Sequence, residues 1–266
     1  MKDIIDCHAH IFPDKIADKA SKSIGAFYDL EVGYNGTTKA LIKSGNSSGI
    51  TKFAVQSVAT SADQVESINH FILDEMNRHP GVIYGLGAMH PNLTFDECEN
   101  ALNFVKNNNL RGIKLHPDFQ KFNIDDPDVF FIFDMIAEYK LPILLHLGDY
   151  RYDFSRPKRL FNLLKKLPNL IVIGAHFGGW MRWDEAMELL SGTDCFIDTS
   201  STFEFVSLEK INQAINLFGE DRIMFGTDYP MWTAKKEIKY ISQLNLNEPA
   251  LEKILFKNAS RVLNIT

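Results

Sequence analysis

The stretch IIDCHAH, residues 4–10, is a short apolar run that ends in two histidines one residue apart. In a β-strand, residues two apart point to the same face, so the rings of His8 and His10 lie side by side, roughly 6–7 Å apart at Cβ. Two polar rings at the end of an apolar strand indicate binding or catalysis. The rest of the chain repeats this arrangement of an apolar run with a polar end.

Seven further apolar or β-branched runs follow, separated by segments with helical spacing such as residues 63–79. Strands that alternate with helices are parallel and joined by crossovers. Eight such units predict an α/β fold, a single (β/α)8 TIM barrel that forms one domain over residues 1–266. A doubly wound sheet is the alternative, but no G-x-G-x-x-G follows the first strand. The predicted strands are Asp3–Ile11, Ile50–Val58, Gly81–Met89, Leu110–His116, Pro142–His146, Leu170–His176, Cys195–Thr199 and Arg222–Asp228.

Composition and charge exclude several classes of protein. Hydrophobic residues make up 45% of the 266 residues and charged residues 23%, as in an ordinary globular protein. A net charge of -6 offers no basic surface for nucleic acid or an anionic membrane. The three cysteines are widely spaced, and the first residues do not resemble a signal peptide. We therefore expect a cytoplasmic protein with a small-molecule substrate and no nucleic-acid or membrane partner, and a homo-oligomer is left open.

Five of the eight predicted strands have a histidine or an aspartate at or next to their last residue, in CHAH, KLH, LLH, GAH and GTD. In a barrel enzyme these carboxyl ends meet at one face, where the active site lies. Imidazole nitrogens and a carboxylate together suit a divalent transition metal. We predict one ion, with Zn as first choice and Mn, Fe or Co as alternatives. A hydrogen-bonded core histidine is the alternative for each residue taken singly. The predicted ligands are His8, His10, His146 and Asp228.

Four further residues are predicted to contact the substrate. Lys114 and His116 are two apart and both point inward, where the lysine suits an anionic group and the histidine lines the pocket or its rim. Arg151 suits a carboxylate, although pairing with Asp149 is the alternative. Trp180 packs on a substrate ring or in the core. By strand alternation Cys7 is expected on the face opposite the histidines, packed against helices.

Five motifs occur in the order of a known family. They are DCHAHIFP (6–13), ILLHLGD (143–149), VIGAHFGGW (172–180), IMFGTDYP (223–230) and KILFKNASRVLNI (253–265). From residue 3 to the C-terminus the chain resembles the amidohydrolase superfamily, in the amidohydrolase-2 branch related to aminocarboxymuconate semialdehyde decarboxylase. The resemblance implies a TIM barrel of the metal-dependent hydrolase type.

The resemblance also implies roles for the strand-end residues. His8, His10, His146 and Asp228 match the metal ligands, and Asp228 also matches a group that exchanges a proton with the bound water. His176 matches a histidine that faces this water, or that binds a second ion in binuclear members. In those members a carboxylated lysine at the position of Lys114 bridges the two ions.

Two activities follow from this resemblance. The first is hydrolysis of a small carbonyl, ester, lactone or amide-like substrate by a metal-activated water, with Asp228 and His176 as the catalytic residues. The alternative is non-oxidative decarboxylation of a small carboxylic acid, aromatic acids included, in which His176 or Asp228 handles the proton. The short chain has no room for the large insertions of longer decarboxylases, and this favours the hydrolase.

Overall fold

The computed structural model describes residues 3–266, and eight parallel strands form its central barrel. The strands are Ile5–His10, Lys52–Gln56, a third in two pieces (Ile83–Gly85 and Gly87–Ala88), Ile113–Leu115, Ile143–Leu145, Val172–Gly174, Phe196–Asp198 and Ile223–Met224. The barrel closes because Ala9 bridges Tyr229 in parallel and the Cys7 amide donates to the Phe225 carbonyl at 2.9 Å. The predicted (β/α)8 barrel is therefore confirmed.

Helices connect the consecutive strands. The α-helices are Asp14–Tyr28, Thr38–Asn46, Val65–Arg78, Phe95–Asn107, Pro117–Gln120, Phe130–Glu138, Pro157–Lys166, Trp183–Leu190, Leu208–Phe218, Ala234–Ile241, Glu248–Glu252 and Asn258–Val262, with 3-10 turns at Ala62–Gln64, Pro127–Val129 and Glu220–Arg222 and a π-helix at Lys253–Lys257. The first crossover holds two of these helices, so it has the extra length to reach over the strand ends. In the described part of the chain, no helix combines the length and apolarity that a membrane crossing requires.

Local sequence explains how the helices start and how closely they pack. Thr94 begins the helix Phe95–Asn107 with a capping box, in which the Glu97 carboxylate accepts from the Thr94 amide at 2.8 Å. Glycine lets this helix approach the third strand, because a Cβ on Gly87 would lie 2.3 Å from Val105 Cγ2. The helices therefore lie directly on the barrel wall.

The apolar core has two parts, one between strands and helices and one inside the barrel. The inner cluster draws on six strands and includes Ile5, Cys7, Ala54, Tyr84, Leu86, Leu144, Ile173 and Met224. Cys7 belongs to it because a β-bulge interrupts the first strand, where Asp6 pairs with Phe53 but Ala9 pairs with Val55. The expectation that Cys7 packs against the helices was wrong, because simple alternation ignores the extra residue.

Candidate metal centre

A buried pocket lies at the carboxyl ends of the strands, where the sequence predicted the site. It is lined by His8, His10, Ile24, Tyr28, Leu30, Lys114, His116, Phe119, His146, His176, Trp180, Ser201, Asp228, Pro230 and Met231. Every predicted site residue except Arg151 is in this set. The pocket therefore brings together side chains from the first, fourth, fifth, sixth and eighth strands.

Three atoms that could hold a metal ion lie close together in this pocket. His8 Nε2 and His10 Nε2 lie 3.2 Å apart, and each lies 3.4 Å from Asp228 Oδ1. Donor atoms about 2.0–2.1 Å from a tetrahedral ion are separated by about 3.3–3.4 Å, so this spacing fits one divalent metal ion. Because burial lowers the pKa of His10, and lowers that of His8 to about 4, the rings are neutral and offer lone pairs.

His146 and His176 form a second pair beside these ligands. His146 Nε2 lies 2.9 Å from the Gly148 carbonyl, and His176 Nδ1 lies 3.2 Å from the Ser200 carbonyl. A carbonyl only accepts, so each contact assigns the ring hydrogen to that nitrogen and leaves a lone pair on the other. These two free nitrogens, His146 Nδ1 and His176 Nε2, lie 3.0 Å apart. Two lone pairs repel at that distance, so the pair fits a cation or a proton.

The group of His8, His10 and Asp228 and the pair of His146 and His176 are adjacent but not equivalent. The ligand atoms of His8, His10 and Asp228 all lie within 4.8 Å of one another, and His146 is outside that group. His176 connects the two, because its ring stacks on His8 with centroids 5.3 Å apart. The structure thus places all five predicted strand-end residues in one pocket, with His146 outside the group of His8, His10 and Asp228.

Asp198, at the end of the seventh strand, is a site residue that sequence reasoning missed. Its Oδ2 accepts from His8 Nδ1 at 2.8 Å, which leaves His8 Nε2 free to face the pocket. Its Oδ1 accepts from the amides of His176 and Ser200. Burial opposes ionisation, but His8 lowers the pKa of Asp198 to about 2. The predicted strand ran one residue past Asp198, and the rule that strand ends carry polar groups would have found it.

Asp228 is held in place by a short hydrogen-bond chain. Trp232 Nε1 donates to Ser201 Oγ at 2.7 Å, and the Ser201 hydroxyl donates to Asp228 Oδ2. Burial opposes ionisation, yet the adjacent imidazoles hold the pKa of Asp228 well below its usual value. Its backbone has φ 56°, and that of His176 has φ 59°, a left-handed conformation that is uncommon outside glycine and recurs at functional sites.

Lys114 is buried beside the ligand cluster. Its Nζ lies 3.2 Å from His8 Nε2, and only 1% of the residue is exposed. Burial lowers the pKa of Lys114 to about 8. An ammonium group here suits an anionic group bound in the pocket.

The first crossover supplies the opposite wall through Tyr28, a second residue that sequence reasoning missed. Tyr28 Oη lies 2.9 Å from His116 Nε2, and its ring packs edge to face on Trp180 with centroids 5.1 Å apart. Burial raises the pKa of the Tyr28 phenol well above its usual value, so it keeps its proton. No signal in the sequence pointed to it, because it is the last residue of a helix and not a residue at the end of a strand.

Arg151 lies outside the pocket. Its Nε and Nη2 donate to the Asp149 carboxylate at 2.9 and 2.7 Å, and its Nη1 donates to the Phe27 carbonyl. The guanidinium thus donates its hydrogen bonds to protein groups. The structure gives no support for the predicted contact between Arg151 and the substrate. The alternative of pairing with Asp149 is the arrangement observed.

Comparison with known proteins gives several decarboxylases, a probable hydrolase and uncharacterised proteins with the same fold. A 2-amino-3-carboxymuconate-6-semialdehyde decarboxylase from Dictyostelium discoideum is 22% identical over 63% of this chain, and the chain spans 56% of that relative's length. An uncharacterised TIM-barrel protein from Bordetella bronchiseptica has a TM-score of 0.82 at 17% identity, over 98% of both chains. A dihydroxybenzoic acid decarboxylase from Polaromonas sp., solved with bound manganese and the inhibitor 2-nitroresorcinol, has a TM-score of 0.77 at 14% identity over 99% of this chain and 97% of its own.

The family assignment rests on a match along almost the whole chain. The model of the amidohydrolase family Amidohydro_2 matches residues 5–265. That range contains every strand of the barrel and every residue of the pocket. The chain therefore belongs to the amidohydrolase-2 branch of the amidohydrolase superfamily of enzymes.

Proposed function

We propose that this protein is a metal-dependent, non-oxidative decarboxylase of a small aromatic carboxylic acid. The observation that supports this most strongly is a pocket that is lined both by the group of His8, His10 and Asp228 and by aromatic side chains. These aromatic residues are Tyr28, Phe119 and Trp180. Such walls suit a flat ring whose carboxylate reaches the ligands. The named decarboxylases among its relatives support the same class. The hydrolase prediction is not confirmed, and these relatives favour the alternative instead.

We assign the metal ligands as the sequence predicted them. His8 Nε2, His10 Nε2 and Asp228 Oδ1 lie within 3.4 Å of one another, and His146 Nδ1, which carries no hydrogen, would complete the set from beside His176. A bound divalent ion would supply Lewis-acid polarisation of the substrate carboxylate and its neighbouring oxygen. Manganese in the Polaromonas relative makes Mn the first metal to test, and Zn, Fe and Co remain alternatives.

The chain's own residues would bind the acid and supply the proton that replaces the carboxylate. Decarboxylation breaks the bond between ring and carboxylate, releases carbon dioxide and requires a proton at the ring carbon. His176 can hold that proton at Nε2, since its Nδ1 is anchored at the Ser200 carbonyl. Lys114 would bind an anionic oxygen of the acid, and Trp180 would pack on the ring.

We further propose a single catalytic domain in a reducing, cytoplasmic compartment. Cys7, Cys98 and Cys195 are all free and buried, which supports such a location. The barrel takes its strands from Ile5 to Met224, and the later helices pack on it through Ile254 and Leu255.

An activity screen tests the proposal directly. Mn-loaded protein would be given a panel of hydroxylated benzoates, with carbon dioxide release measured beside hydrolysis of lactones and anilides. We expect carbon dioxide release from at least one benzoate. Release of acid from lactones or anilides without carbon dioxide would overturn the proposal in favour of the hydrolase.

Two variants connect that activity with the assigned residues. Asp228→Asn and His176→Gln are each expected to lower kcat by at least about 100-fold, because one loses a charged ligand and the other the proton carrier. Asp74→Asn is the matched control, since Asp74 is exposed on the helix Val65–Arg78 and does not line the pocket. Parental rates in either site variant would refute its assigned role.

A further inference from the structure

The hydroxyl of Tyr28 enters the pocket from the first crossover, outside the set of strand-end residues. Among residues 3–266 its one hydrogen-bond partner is His116 Nε2, at 2.9 Å. What this contact does depends on which of the two groups donates. The surroundings of His116 decide that question.

His116 is fixed in both position and tautomer. Its ring is stacked between Phe119, at 3.9 Å between centroids, and His146, at 3.8 Å. The backbone N–H of Phe119 donates to His116 Nδ1 at 3.3 Å. A nitrogen that accepts carries no hydrogen, so the ring hydrogen is on Nε2 and is donated to Tyr28 Oη.

The consequence is a phenol whose own hydrogen is unused. Tyr28 Oη accepts from His116, and in the described chain no carbonyl or carboxylate accepts from Tyr28 in turn. The ring is held by Phe27, Phe119 and Trp180, with centroids 4.9, 5.9 and 5.1 Å away. The donor is therefore preorganised, and the space it faces is the pocket.

From this geometry we infer that Tyr28 is a substrate-binding residue that donates a hydrogen bond to an oxygen of the acid, with His116 as the positioning residue that orients it. The inference rests on the proposed function, since that function places an oxygen-rich acid in the pocket. It gives His116 a role different from direct contact with substrate. A phenol donor selects acids that carry an oxygen on the side facing Trp180.

The available volume agrees with a close contact. The pocket holds about 30 Å3 of open space, where one water needs roughly 10–15 Å3 by the same measure. Tyr28 and Ile24 of the first helix form part of the wall around it. An acid bound at the strand ends would therefore lie against this wall, of which Tyr28 is a part.

Binding of two aromatic probes to the Mn-loaded protein tests the inference. The probes are 2,6-dihydroxybenzoate and 2-nitroresorcinol, and the variant is Tyr28→Phe. We expect its Kd for both probes to rise by about 10- to 100-fold, the effect of losing one hydrogen bond to a charged acceptor. Its metal content and melting temperature should match those of the parent. An unchanged Kd would overturn the assignment of Tyr28.

A control and a second substitution separate donation from packing. Tyr152→Phe removes a hydroxyl from the same aromatic cluster, since Tyr152 stacks on Phe27, but this ring does not line the pocket. Its Kd should equal the parental value. Site-specific 3-fluorotyrosine at position 28 keeps a more acidic donor and should bind the probes at least as tightly as the parent, whereas weaker binding would overturn the donor assignment.

Failure of the proposed function has a different signature. If the metal-loaded parent binds neither probe, the pocket does not take an aromatic acid, and the proposed function falls together with the inference. If the parent binds them and Tyr28→Phe binds equally well, only the role of Tyr28 is refuted.

Discussion

His8 and Asp198, 190 positions apart in the sequence, are joined by a 2.8 Å contact between His8 Nδ1 and Asp198 Oδ2. Neither side chain is more than 1% exposed. The carboxylate fixes the hydrogen on Nδ1 and so points the lone pair of Nε2 at His10 and Asp228. Asp198 thus sets the direction in which His8, a proposed metal ligand, presents its Nε2.

Asp198→Asn is expected to weaken metal binding while preserving the barrel. An amide orients the imidazole less strongly than a carboxylate, and loss of such an outer partner typically costs 10- to 100-fold in metal affinity. Titration of metal-free protein with Mn2+ measures the effect. Asp194→Asn, exposed in the preceding turn, is the matched control and should bind as the parent does. Equal affinity of Asp198→Asn and the parent would show that Asp198 does not orient His8.

Lys114→Met is expected to retain one equivalent of metal. Its Nζ lies 3.2 Å from His8 Nε2, beside the group of His8, His10 and Asp228 to which we assign the ion. Removal of a nearby positive charge should leave Mn2+ affinity equal or tighter. Metal analysis after dialysis gives the stoichiometry. Two equivalents in the parent that fall to one or none in Lys114→Met would instead support a lysine that bridges two ions.

Gly148→Ala is expected to destabilise the protein and loosen the site. Gly148 has φ 80°, and an added Cβ would lie 2.4 Å from both the N and O atoms of Trp180. The left-handed backbone and the overlap together should lower the free energy of unfolding by on the order of 2–4 kcal/mol. Chemical denaturation measures this. Gly192→Ala, where an added Cβ meets nothing within 4 Å, is the control. A Gly148→Ala protein as stable as the control would show that the backbone relaxes there freely.

Glu237→Gln is expected to change how stability depends on pH. Burial, and then the charge of Glu204, raise the pKa of Glu237 well above its usual value, and its Oε2 has no hydrogen-bond partner in the described chain. The folded state therefore holds a proton that the unfolded state releases above about pH 4.5. By linkage, the free energy of unfolding falls as pH rises above that value.

The glutamine variant lacks the titrating carboxyl group, so its free energy of unfolding should increase relative to that of the parent as pH rises from 5 to 8. Denaturation of both proteins at several pH values measures the difference. Glu99→Gln, exposed on the helix Phe95–Asn107, should show no such trend. A difference between parent and Glu237→Gln that is constant with pH would contradict the assigned burial effect.

Local pattern was sufficient to predict the barrel and the face that carries the site. Strands and helices have different periods, so their alternation can be read from short windows of sequence. Parallel strands then bring all their carboxyl ends to one face, which is why His8, His146, His176 and Asp228 could be grouped without coordinates.

Other features depended on tertiary structure, because they join residues that no local period connects. Tyr28 reaches His116 across 88 positions, from a helix whose placement depends on packing. A bulge in the first strand places Cys7 inside the barrel. Arg151 forms an ion pair with Asp149 and does not line the pocket. The sequence by itself determined which strand ends carry polar groups. The tertiary structure alone decided which nitrogens face one another and what orients them, because hydrogen-bond partners are chosen by distance in space.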